Sequence, residues 1–549
     1  MISPTRCAAL VAGLCASLLL GSVARSATVY LASAPLTVGL SKVVPPNLFL
    51  LMDTSASTDL DYMPDAVGSN LLKSCYRNWG HNKLAYNPAI TYTPPPDPET
   101  DGLLPNSNYT YAWNNGFDRS FYDTTDLSVP TLTTQAQPET LGANPFSVIQ
   151  GSRIVTVTHT AHGYTTGTSV TFTNLRTNSG SSTSSVGSIP INNRTFVITV
   201  LGANQYQFTG SQNASSTRTG GGSGPIATTY ISVALATYYS EYTASPAAPP
   251  DTCEDDAAYT KKVPSTSAEK TNFANWYSYY RKRLMTLKST FGRSFINLDS
   301  TFRVGWSATT YTGNSNDSGK FRRITPFTAS NRRSIYYSVY GATSSGQTPL
   351  RAALAKAGRM YAGAISTLTG ANDPVLYSCQ QNFTLLVTDG YWTTGNESPT
   401  YGPFKMDGTT SVGDQDGNST TIKPPRYDGL AVANTLADVA AYYYNTDLRT
   451  AGQTGGPVGS PVTYLDVSAN NVPKASADSA NWQHMNTFTL GLGVSGELAY
   501  NPNYLKGGSA DYNALLAGTK NWPDPQPTNG GGQIAARIDD LWHAACLLY

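Results

Sequence analysis

Two apolar runs of strand length each lead straight into an aspartate. Asn47–Met52 (NLFLLM) follows the Pro45-Pro46 stop and runs into Asp53, and Asn382–Thr388 (NFTLLVT) runs into Asp389. Strand-like and helix-like segments alternate around them. Phe273, Trp276, Tyr277, Tyr280, Leu284 and Leu287 recur at three- and four-residue steps, which predicts amphipathic helix within 265–293. Thr301–Ser307 alternates like a strand. Arg351–Tyr361 reads as a helix opened by Thr348-Pro349-Leu350, since Pro349 suits a first turn where its missing N–H costs little. Leu430–Tyr444, Met485–Val494 and Gln533–Ala545 read as helix, strand and helix. The alternation predicts an α/β fold, a doubly wound and mostly parallel sheet. Ligands of such sheets sit at the carboxyl ends of strands, where Asp53 and Asp389 both fall.

The connections are long. A polar, Pro- and Gly-rich stretch separates the first strand from about Val263. Within it, residues 145–228 differ from the rest. Ile154–Thr158, Ser169–Asn174, Thr195–Leu201 and Gln205–Phe208 are short β-type runs between Gly-rich turns. They predict a small all-β module spliced into a loop. Its His159-Thr160-Ala161-His162-Gly163-Tyr164 resembles small β-repeats of phage tail and surface proteins. His159 and His162 have no evident third ligand, so turn and edge roles are expected rather than metal binding.

The N-terminus indicates the compartment. Arg6 is followed by an apolar and small-residue run, Cys7–Val23, and Ala24-Arg25-Ser26 offers a cleavage site before Ala27. This is a secretory signal pattern over 1–26, with a membrane anchor as the alternative. No later segment is apolar and long enough to span a bilayer, so an exported chain is expected, with 27–46 as an N-terminal segment. The 36 basic and 35 acidic residues leave no electrostatic footprint for nucleic acid. Cys75, Cys253, Cys379 and Cys546 remain after cleavage, in no CxxC spacing. An oxidising compartment favours disulfides, and of three full pairings the sequence selects none; Cys75–Cys253, stapling one insertion, is the leading expectation.

Asp53-x-Ser55-x-Ser57 at a strand end is the strongest local signal. A carboxylate and two hydroxyls can present oxygens to a hard divalent cation, magnesium, manganese or calcium, from one tight loop. Thr348 at a helix start and Asp389 at a strand end would complete the set. The alternative is a degenerate site in which both aspartates cap loops. Asp414-Gln415-Asp416-Gly417-Asn418 looks like part of a calcium loop, but it lacks the register and the distal Glu, and a turn is expected. His484 and His543 are expected to be buried and hydrogen-bonded.

The chain order Asp53, Ser55, Ser57, Thr348, Asp389 resembles the metal-ion-dependent adhesion site of von Willebrand factor A domains. From Asp53 to Thr348 is 295 positions, so large insertions must bulge from the loop side of the sheet. Longer stretches are similar to PilY-type proteins, the type IV pilus biogenesis factors and tip adhesins. They include Asn272–Arg281, Thr348–Arg351, Gln381–Trp392, Leu436–Ala440, Trp482–Met485, Gly491–Val494 and Ala536–Ala545. The resemblance implies a von Willebrand factor A-like domain over 47–545, interrupted by insertions. It implies export to the cell surface, pilus tip or outer membrane, and minor pilins and a host or surface receptor as partners. It implies roles in pilus extension, surface attachment and twitching motility.

The chain departs from that family in three respects. It stops after Ala545 with an atypical tail at 546–549, before the family's C-terminal β-propeller and its calcium loop. The usual acidic and glycine positions within DxSxS are Thr54 and Ala56. The β-module at 145–228 looks like an addition. A non-enzymatic adhesin is expected, with tyrosine-rich loops adding contact area. The alternative is a secreted hydrolase acting on surface polysaccharide, but no HExxH, GxSxG or Walker A motif is present and five histidines offer few general bases.

Overall fold

The computed structural model describes residues 44–546 except 69–72, 101, 120–122, 129–130, 236–237, 245–255, 314–316, 394–396, 398–400, 418–421, 476–477, 494 and 528–534. The expected signal peptide, nearly all of 27–46 and residues 547–549 of the tail lie outside the described residues. The chain separates into two compact units, Met1–Leu127 together with Tyr238–Tyr549, and Ser128–Thr237.

The first unit is built on five strands: β1 (Asn47–Met52), β2 (Arg303–Ala308), β3 (Phe321–Pro326), β4 (Asn382–Thr388) and β5 (Met485–Gly491). Their order across the sheet is β3-β2-β1-β4-β5. β1 pairs in parallel with β2 and β4, and β4 with β5; β3 runs antiparallel at the edge. Every residue of β1 and β2 is buried, as a strand covered on both faces requires. Leu48, Leu50 and Met52 pack with Leu284, Leu287 and Phe291 of α2 (Arg283–Phe295) and Ile335 and Val339 of α3 (Ala329–Tyr340). Phe49 and Leu51 face the other way. They join Leu354 of α4 (Leu350–Tyr361), Val439 of α5 (Leu436–Asn445) and Leu541 of α7 (Ala536–Cys546). A short helix, α6 (Ala510–Leu516), precedes α7.

The helix boundaries follow local chemistry. The stretch expected as one helical segment over 265–293 is two helices, α1 (Ser267–Tyr279) and α2. Lys282 is extended, and Arg283 N–H bonds Leu60 O at 3.0 Å, which ends the first helix and redirects the second. α5 starts at Leu436 rather than Leu430 because Thr435 and Asp438 form a capping box. At the amino ends of the strands, buried polar side chains tie the sheet across. Asn47 Nδ2 donates to Asn382 Oδ1 at 2.9 Å, Arg303 Nε to Asn47 Oδ1 at 3.0 Å, and Asn382 Nδ2 to Gln483 Oε1 at 2.8 Å.

Tyrosine serves the interior more than the expected surface. Tyr279, Tyr336, Tyr340 and Tyr361 are buried, and their hydroxyls donate to the carbonyls of Pro105, Gly292, Pro96 and Phe383. Tyr111 and Tyr230, among others, are exposed.

The second unit is all-β and wider than the expected 145–228, because the long pair Thr131–Thr140 and Ile226–Leu235 belongs to it. Two antiparallel sheets of four and five strands enclose Phe146, Val155, Val157, Phe172, Tyr206 and Phe208. Inward and outward residues alternate along Ile154–Thr158 and Gln205–Thr209.

α4 and α5 meet at Gly358, where a Cβ would lie 2.2 Å from the Tyr443 ring. Gly358→Ala gains helix propensity of about 1 kcal/mol, but overpacking a fixed ring costs about 1–3 kcal/mol. The expected net result is a lower urea midpoint. Gly319, with open space around its Cβ position, is the control, and Gly319→Ala should leave the midpoint unchanged.

Candidate functional site

The parallel pairing of β1 and β4 sets two aspartates side by side. Met52 is level with Val387, and Asp53 N–H extends the ladder to Val387 O at 2.8 Å. Asp53 and Asp389 are both fully buried. Past Met52 the chain turns through Ser55 into a 3₁₀ turn at Ala56–Asp59, so that three consecutive groups fold back onto the strand ends. Ser55 N–H donates to Asp53 Oδ1 at 2.8 Å, the Ser55 and Ser57 hydroxyls are 2.9 Å apart, and Ser57 Oγ donates to Asp389 Oδ1 at 3.0 Å. Thr388 Oγ1 donates to Asp53 Oδ2 at 2.5 Å. Ser57 is the partly exposed member, while Ser55 is buried.

Thr348 is buried and lies on a loop tied to this turn. Ala56 N–H bonds Gly346 O, Ser345 N–H bonds Thr54 O, and Thr393 N–H bonds Thr348 O. Asp53, Ser55, Ser57 and Asp389 are thus joined directly, and Thr348 through its backbone. All the donors are oxygens, the class that a hard divalent cation takes, so the residues fit such an ion.

Arg283 is the group that sequence reasoning missed. Its guanidinium is 1% exposed and reaches Asp389 Oδ2 at 3.1 Å, Tyr62 O at 2.9 Å and the Asp65 carboxylate. Burial, with the adjacent Asp53 charge, pushes the Asp389 carboxyl up to about 7, against the opposing pull of Arg283. The pair is 106 positions apart in sequence, so no local spacing reveals it. A basic residue inside an otherwise helical apolar pattern, at the point where α1 breaks, is the one signal present.

A second acidic constellation gathers at the start of α5. Asp414, Asp416 and Asp438 present ligand oxygens within 4.8 Å of one another. The run from Asp414 does form the expected turn, with Asp416 and Gly417 N–H donating to Asp414 Oδ1 at 3.2 and 2.7 Å. The third carboxylate beside this turn comes from a helix cap and not from the same loop. Asn418 lies outside the described residues.

The five histidines are engaged elsewhere. His81 is 2.5 Å from Tyr259 Oη, His484 3.1 Å from Asp478 Oδ2, and His543 2.9 Å from Arg426 O. His159 and His162 flank the turn at Thr160-Ala161, as expected, and are buried there against Glu139 at 2.8 Å and Gly202 O at 2.9 Å. Cys75 is disulfide-bonded, and Cys379 and Cys546 are free. Cys253 lies outside the described residues.

Arg283→Met keeps bulk and strands two carboxylates. The expected cost is about 3–5 kcal/mol, as for other broken buried pairs, read as a lower denaturation midpoint. In an Asp389→Asn background the same change should cost less. Strict additivity of the two substitutions would mean that the pair contributes nothing.

No family model matches the chain. It is similar to the type IV pilus biogenesis factor PilY1 of three Pseudomonas aeruginosa strains. The UCBPP-PA14 protein is 31% identical over 323 residues, 56% of this chain and 26% of that protein. The PAK protein is 32% identical over 312 residues, 53% of this chain and 25% of that protein. The PAO1 protein is 31% identical over 337 residues. The chain spans about a quarter of the length of these curated relatives. One solved structure, phage phi92 endosialidase, covers 19% of this chain and 14% of its own at 17% identity, with a TM-score of 0.13 that carries no argument. Over somewhat more than half of its length, then, the chain is related to PilY1.

Proposed function

We propose that this chain is a non-enzymatic type IV pilus assembly protein, exported to the cell surface and associated with the pilus tip. In this reading its first unit is a von Willebrand factor A-like domain that binds partners through a divalent cation. The relationship to PilY1 supports the pilus role. One observation carries the site: Asp53, Ser55, Ser57 and Asp389, from two strand ends, are joined by hydrogen bonds with the Ser57 hydroxyl on the partly exposed side. Asp53, Ser55, Ser57, Thr348 and Asp389 would hold the ion. When bound, it would supply a Lewis-acidic position for a carboxylate of a minor pilin or surface receptor. The protein's own groups do the rest. Thr388 fixes the Asp53 carboxylate, Arg283 holds Asp389 in place, and the turn sets the Ser57 hydroxyl on Asp389 with the Ser55 hydroxyl against it. Adhesion, pilus extension and twitching motility follow in this reading from that contact. Among the described residues no helix is long and apolar enough to cross a membrane.

Calorimetric titration of the full chain with magnesium and manganese tests the site. Saturable binding is expected, weakened at least about tenfold in Asp53→Ala, a loss of about 1.4 kcal/mol or more. Capture of purified minor pilins should fall in the same variant and on chelation. Unchanged binding of both metal and pilin in Asp53→Ala would sink the reading.

A further inference from the structure

The strand-end aspartates have hydrogen-bond partners, but among the described residues Asp416 has none. It is 1% exposed, and neither of its carboxylate oxygens has a hydrogen-bond partner. Carboxyl groups removed from water are paired, hydrogen-bonded, bound to metal or held protonated, because an uncompensated charge is strongly unfavourable there. Asp416 points into a group that already holds two more carboxylates, with ligand oxygens of Asp414, Asp416 and Asp438 within 4.8 Å of one another.

The surrounding geometry holds these three in place. Asp438 sits in the first turn of α5. Its Oδ2 accepts from Thr435 N–H and Oγ1, and its Oδ1 accepts from Gln415 N–H at 2.5 Å. Asn434 grips the same loop from the other side, its Oδ1 accepting from Gly413 N–H at 3.0 Å. Asp540 of α7 completes the cap through Leu436 and Ala437 N–H, at 2.8 and 2.9 Å.

Neutralising cations are scarce. Among the described residues, no lysine or arginine forms an ion pair with Asp414, Asp416 or Asp438. His543 Nε2 lies 3.8 Å from Asp416 Oδ2, but it donates its proton to Arg426 O at 2.9 Å. Asp428 is also buried nearby and adds negative charge.

We propose that Asp414, Asp416 and Asp438 form a calcium site, made of residues different from the strand-end site, that fastens the 412–417 loop to the start of α5. Calcium suits it better than magnesium. It takes six to eight oxygens in irregular geometry and fills its shell with water, whereas magnesium demands a near-ideal octahedron. The inference does not rest on the reading of Asp53 and Asp389.

Calcium titration of the chelated full chain tests it, by calorimetry and by thermal unfolding. Saturable calcium binding and a raised unfolding midpoint are expected. Asp416→Asn is isosteric and removes the unpaired charge. It should keep or raise the calcium-free midpoint and weaken calcium binding at least about tenfold. Asp53→Ala should retain calcium binding. Amide exchange at Gln415, Asp416 and Gly417 should slow with calcium in the unmodified chain and not in Asp416→Asn. If Asp416→Asn does not fold, Asp414→Asn, at the exposed position, carries the same expectation for binding. Unchanged calcium affinity in the folded variant overturns the site. So does loss of binding in Asp53→Ala alone, or the absence of any effect of millimolar calcium on the unmodified chain.

Discussion

The buried guanidinium of Arg283 holds together the carboxyl end of the parallel strands. Two carboxylates close together and out of water repel each other, and at Asp53 and Asp389 the parallel pairing of β1 and β4 leaves no room to separate them. Hydroxyls and one amide take up their lone pairs, and among the described residues only Arg283 brings a positive charge. The same side chain bonds Tyr62 O and Asp65, so it also anchors the segment that follows the 3₁₀ turn. Its backbone bond to Leu60 is the one that separates α1 from α2. Helix break, loop anchor and charge balance therefore depend on one residue.

Long irregular connections raise a second problem, since every buried carbonyl in them needs a donor. This chain meets it with tyrosine. A phenol fills core volume and still offers one O–H at its tip. Tyr279 and Tyr340, at the ends of α1 and α3, and Tyr280, just past α1, donate to the carbonyls of Pro105, Pro96 and Thr93 in the loop that precedes the β-unit. A chain with 35 tyrosines and only 13% charged residues is well supplied for that use. The β-unit itself is inserted at little cost to its host. Thr131 pairs with Leu235 at the outer end of a ten-residue antiparallel ladder, so the chain enters and leaves side by side. Loop closure is then no harder than for a short hairpin.

The sequence was most legible where physics is local. The two apolar runs could be read to the residue as Asn47–Met52 and Asn382–Thr388, because unbroken apolar strands bounded by Pro45-Pro46 and by aspartates have few other uses. The turn at Asp53-x-Ser55-x-Ser57 was equally visible, since its oxygens are two residues apart. The break at Tyr280–Lys282 was not, because the apolar spacing runs straight through it and the cause is a bond to Leu60. The first turn of α5 was misplaced because the stretch from Leu430 is also apolar enough, and the Thr435/Asp438 cap decides. The turn at Asp414–Gly417 was legible, but the approach of Asp438 was not, because it comes from a helix 23 positions beyond Gln415. The β-unit's outer strands were missed because Thr131–Thr140 is mostly polar and alternates weakly.

The two acidic constellations represent two answers to one electrostatic problem. At the strand ends the balancing charge belongs to the chain itself, since Arg283 lies against Asp389 and offsets part of the repulsion from Asp53. At the start of α5 no arginine or lysine has that place among the described residues, and Asp416 stays unpartnered. A site balanced by its own arginine keeps its shape without an ion, so ion binding there adds affinity for a partner rather than folding energy. A site with an unpaired buried carboxylate changes stability with the ion, because the ion removes a cost that the folded chain otherwise carries. The first arrangement suits recognition and the second suits a fastener. The 412–417 loop lies against the same α5 whose Val439 and Ala440 help to form the core beneath β1, so an ion bound there would fasten the loop to the core.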